Sequence, residues 1–96
     1  MKEVRNLEET REEIDTIDRQ ILPLFLRRMK LAADVAEYKR CHDMETFRPE
    51  REQEILKRVA AEAGPEFADY AVRLFNGIMG LSREYQDALK NKEEAE

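Results

Sequence analysis

Residues 10–40 read TREEIDTIDRQILPLFLRRMKLAADVAEYKR, and this run decides the fold. It holds no glycine, and its apolar residues recur every seven positions. Val4, Arg11, Asp18, Phe25, Ala32 and Lys39 share one position of the repeat, and Leu7, Ile14, Ile21, Arg28 and Val35 share its partner. Seven of these eleven are apolar, which is enough to define the a and d sites of a packed helical seam. Pro23 stands against this reading, because in mid-helix it removes a hydrogen bond and crowds the carbonyl four residues back, at about 3 kcal/mol. The heptad nevertheless keeps its register across Pro23, and no Gly or Asn turn residue accompanies it. A continuous but kinked helix is therefore expected from about residue 6 to about residue 40.

Length then constrains the assembly. Such a helix spans roughly 50 Å, whereas a compact domain of this size has a radius of gyration of roughly 12–13 Å. A polar link, CHDMETFR at residues 41–48, follows the long helix. Pro49 suits the first turn of a second helix, which Gly64 should end. Pro65 is expected to open a third helix running to about residue 91, with residues 92–96 as an acidic tail. Gly77 and Gly80 fall inside that third helix and are expected to let another helix approach closely. Two short helices cannot cover the seam of the long one. The expected fold is all-α, with three helices per protomer, one long and two shorter, in an intertwined six-helix homodimer. Residues 1–96 are read as a single domain with an ordered core at about 5–90.

Composition excludes several functions. The 96 residues carry 17 Lys and Arg against 22 Asp and Glu, a net charge of −5 that disfavours nucleic acid as a partner. No apolar run approaches the roughly 20 residues of a membrane span. The charged N-terminal stretch lacks the apolar core of a secretory signal. One cysteine, Cys41, allows no internal disulfide and fits a cytoplasmic setting. His42, the only histidine, has no second ligand at metal spacing, and no glycine-rich phosphate loop is present, so neither a metal nor a cofactor is expected.

The informative residues are polar ones in apolar places. Arg11, Arg28 and Lys39 lie on the seam, where a cation is costly unless paired. Each is read either as a snorkelling stem or a salt bridge to Asp18 or Glu52, or as part of a cationic pocket. Three together in an acidic chain point to a small anion with more than one carboxylate or phosphate. Glu52 shares the stripe of Ile55, Leu56 and Val59, with Arg51 beside it; it is equally a first-turn carboxylate favoured by the helix dipole. Ser82 and Gln86 interrupt the stripe Phe75, Met79, Leu89, either as a two-point ligand contact or as a hydrogen bond between helices.

Three runs carry a family likeness: residues 10–39, RPERE at 48–52, and LFNGIMGLSREYQ at 74–86. Within them stand R-x-x-I-D-x-I-D, R-R-M-x-L-A-x-x-V-A-x-x-K and P-E-R-E. Over about residues 5–90 the chain resembles the all-helical, AroQ-class chorismate mutases. The resemblance implies conversion of chorismate to prephenate on the route to phenylalanine and tyrosine, by a homodimer with shared sites. It implies that Arg28 clamps a substrate carboxylate and that Arg11 reaches a carboxylate from the other protomer. Lys39 and Gln86 match the pair that hydrogen-bonds the ether oxygen, and Glu52 matches the acid that binds the ring hydroxyl. Ser82 and Arg51 match supporting polar groups, and Val35 an apolar wall. Arg48 departs from the pattern, standing where the family commonly has Asp; it offers no capping acceptor and adds a positive charge at the site mouth. The alternatives are an isochorismate-pyruvate lyase of the same fold, disfavoured by Glu52, and a non-catalytic helical dimerisation or regulatory module.

Overall fold

The structure, a computed structural model, describes residues 6–95. It comprises three helices, α1 (Leu7–Cys41), α2 (Pro49–Ala63) and α3 (Ala68–Ala95), with no strand among the described residues. Val4 of the expected seam and Glu96 of the expected tail lie outside the described residues.

Local chemistry sets each boundary. Asn6 caps α1, its Oδ1 accepting from the main-chain N–H of Glu8 at 2.8 Å and of Glu9 at 3.4 Å. Glu8 and Glu9 in the first turn and Lys39 and Arg40 in the last complement the helix dipole. The helix passes through Pro23 as one element, as the heptad register implied. It stops in a Schellman turn. Asp43 takes positive φ (54°), Met44 N–H donates to the Lys39 carbonyl at 2.8 Å, and Asp43 N–H to that of Arg40 at 3.5 Å.

Pro49 opens α2 as expected, and Arg48 at its N-cap makes no side-chain capping bond, since a guanidinium has no acceptor. Gly64 follows its last turn at φ 83° and ψ 166°, a region essentially open to glycine alone. Pro65 lies in a turn, so α3 starts three residues later than expected, with Ala71 N–H donating to Phe67 O at 2.9 Å. At its other end α3 continues to Ala95, because the Lys, Glu and Ala residues there are strong helix formers.

The chain divides into two units, Met1–Lys30 and Leu31–Glu96. In the first, Leu7, Ile14, Ile17, Ile21, Leu22 and Leu24 are each half or more exposed. In the second, α2 packs on α3 through buried Ile55, Val59 and Met79, flanked by Leu56, Ala71 and Phe75. Each such burial contributes about 1.5–3 kcal/mol. Within this chain and among the described residues, no helix packs closely on Gly77 or Gly80. A Cβ on Gly77 would meet nothing within 4 Å, and one on Gly80 only the Arg83 guanidinium at 3.8 Å. Among the described residues no helix is long and apolar enough to cross a membrane.

Candidate functional site

Within the second unit, the last turns of α1, the link and the C-terminal half of α3 line a cavity of about 570 Å³, a size typical of small-ligand pockets. Lys39 and Gln86 both line it, with Met44 and Thr46 from the link. Its charged lining is Lys39, Arg40, Lys90 and Lys92 against Glu37 and Asp43. The hollow is thus cationic in a chain whose net charge is −5. Glu37 is itself held below the usual carboxylate range, chiefly by its hydrogen bond from Arg40 at 2.6 Å.

The Schellman turn positions Lys39. Its main-chain carbonyl accepts from Met44, and its Nζ donates to the Thr46 carbonyl at 2.7 Å. Burial pushes the ammonium below the ordinary lysine range. Repulsion by Arg48 adds to the shift, and attraction to Glu52 opposes it.

Gln86 and Ser82 are buried polar residues one turn apart on α3. Gln86 Nε2 donates to Ser82 Oγ at 3.0 Å, so this bond lies within one helix rather than between two. Gln86 Oε1 is buried with no hydrogen-bond partner in the structure. An orphaned acceptor of this kind is costly unless something else satisfies it.

Glu52 is half-buried on α2, and its carboxylate forms an ion pair with Arg83 of α3. The Arg83 guanidinium lies over the Phe47 ring, 4.9 Å from its centroid. Arg83 was absent from the candidates drawn from sequence. The available signal was its spacing, four residues after Met79 and three before Gln86, on the same helical stripe. Thr46 borders both the main cavity and a smaller hollow lined by Phe47, Gly80 and Arg83.

The other candidates lie elsewhere. Arg51 turns to Glu54 at 3.1 Å on the exposed side of α2. Arg48 and Val35 are exposed. In the first unit, Arg11 is exposed and Arg28 half-buried on α1. Cys41 is free and exposed. Among the described residues no three His, Cys, Asp or Glu side chains gather as a metal site. What the cavity offers chemically is an ammonium, a carboxamide and a surplus of positive charge, a set suited to holding a small anion and donating hydrogen bonds to it.

Comparison with known proteins agrees with this chemistry. Residues 10–87 match the family described as chorismate mutase type II. A chorismate mutase from Methanocaldococcus jannaschii is 32% identical over 95 residues, covering 93% of this chain and 96% of that protein. The T-protein of Haemophilus influenzae is 37% identical over 65 residues, or 66% of this chain. A bifunctional chorismate mutase/prephenate dehydratase from Aquifex aeolicus is 41% identical over 56 residues, or 58% of this chain. The matches span only 17% and 16% of the length of these last two relatives.

Proposed function

This chain belongs to the chorismate mutase type II family, and from that premise we propose that it is an isomerase rearranging chorismate to prephenate. The observation that carries the reading is the pairing of Lys39 and Gln86 in one cationic hollow. The rearrangement breaks one C–O bond as one C–C bond forms, within a single molecule. The protein contributes by folding the substrate's side arm over its ring and by placing donors where negative charge grows on the ether oxygen.

Lys39 is the proposed charged donor. An ammonium carries three hydrogens, so it can keep the Thr46 carbonyl and still serve the ether oxygen. Gln86 is the neutral co-donor. Turning its amide over lets the Ser82 hydroxyl donate to Oε1, which satisfies the orphaned acceptor and frees Nε2 for substrate. Glu52 takes the ring hydroxyl, and Arg28 clamps a carboxylate with its planar fork. Val35 supplies an apolar wall, Ser82 and Arg51 supporting polar groups, and Arg48 a positive charge at the mouth.

The working unit in this reading is a homodimer, with Arg11 supplied by the second copy. The exposed apolar residues of α1 support it, because a row of this kind needs a covering surface. Free, exposed Cys41 suits the reducing cytoplasm.

The test is to incubate purified protein separately with chorismate and with isochorismate and to identify the products. Prephenate from chorismate is expected. Release of pyruvate from isochorismate, without consumption of chorismate, would replace the mutase reading with a lyase one.

A further inference from the structure

Arg83 is the residue that the reaction reading leaves unused, and it joins three parts of the second unit. Its guanidinium pairs with the Glu52 carboxylate across the α2–α3 contact, both carboxylate oxygens lying on its Nη1. The same guanidinium rests over Phe47 in the link. The residue before Phe47 is Thr46, whose carbonyl holds Lys39. Both members of the ion pair are shielded, with side chains 34% exposed for Arg83 and 17% for Glu52, so the pair is less screened than one on the open surface.

Arg48, at the N-cap of α2, gives Glu52 no side-chain help. It makes no side-chain capping bond, and its main-chain carbonyl accepts the Glu52 N–H at 3.2 Å. Without Arg83, a half-buried carboxylate would stand beside the site free to rotate. With it, the carboxylate has one orientation and retains lone pairs for a further donor.

We infer that Arg83 is a positioning residue, which orients the Glu52 carboxylate for the substrate hydroxyl. This rests on the chorismate reading above. The ring hydroxyl stands on the carbon next to the breaking C–O bond but itself gains and loses no bond, so the loss of its contact is expected to fall more on KM than on kcat.

A double-mutant cycle tests this, with R83M, E52Q and R83M/E52Q compared with the parent, and R83K as the conservative variant. With chorismate as substrate, R83M is expected to raise KM about tenfold while kcat falls less than about threefold. R83K should recover most of the loss, and the double variant should be no worse than E52Q. Losses that multiply in the double variant, or a fall in kcat at unchanged KM, would overturn the inference. The parent, R83M, E52Q and the double variant are also melted, a readout that needs no turnover. Midpoint shifts that fail to add are expected, and additive shifts would show that the two side chains do not act together. A parent protein that leaves chorismate untouched would refute the reaction reading, and the melting cycle would still decide the Arg83–Glu52 link.

Discussion

Lys39 donates from Nζ to the main-chain carbonyl of Thr46 at 2.7 Å, so a cation lining the cavity is also a strut of the link. Lys39→Ala removes both roles. In the proposed mechanism it lowers kcat about 10²–10³-fold, the usual cost of losing one donor to a developing oxyanion. Circular dichroism should show helix content retained, since the link lies outside the three helices. An unchanged kcat would exclude Lys39 from the chemistry.

The lowered Lys39 value makes a pH prediction with a definite sign. A step that needs the ammonium fails as pH rises through a value below the ordinary 10.5. Arg48→Gln removes one repulsion, so the alkaline limb of kcat/KM, which reports the free enzyme, moves to higher pH. Glu52→Gln removes an attraction and moves it lower. Stability follows the linkage rule. Between the lowered folded value and the ordinary one, the unfolded chain holds more protons, so the Lys39 contribution to stability rises with pH across that window. Rate profiles and melting curves across the alkaline range check both.

The proposed sharing of sites between two copies makes a mixing prediction. Arg11→Ala and Arg28→Ala homodimers should each be impaired. Hybrids formed by subunit exchange should regain activity, because one of their two sites keeps both arginines. Verified hybrids with no recovery would reject a site built from two copies.

Gly64→Ala tests the backbone rather than the site. Nothing lies within 4 Å of the added carbon, so the cost is that of the φ 83°, ψ 166° conformation, about 1–3 kcal/mol. For a domain of this size that is a fall in melting temperature of at least roughly 4 °C. An unchanged melting temperature would contradict the backbone at this position.

The fold was largely legible because its signals are local. The heptad carried α1 through Pro23, and Pro49 and Gly64 marked both ends of α2. The missed boundaries are those of α3 and have local causes too: Pro65 sits in a turn, and the helix formers beyond residue 91 carry the helix on to Ala95. The site was legible only in its residue types. Lys39, Glu52, Ser82 and Gln86 stood out as polar groups on apolar stripes. Their partners did not, because the carbonyl of Thr46 belongs to the backbone and leaves no mark in the sequence. Arg83 was passed over because a charged residue inside a surface helix reads as a solvated one until a facing carboxylate is known. Gly77 and Gly80 suggested a neighbouring helix, and among the described residues this chain supplies none close to them.

The bare leucines and isoleucines of α1 carry one more consequence. If their covering surface comes from another molecule, the cohesion of the fold obeys mass action, and dilution acts as a denaturant. Melting temperature should then climb with protein concentration, and specific activity should fade in very dilute assays even though no covalent bond has changed.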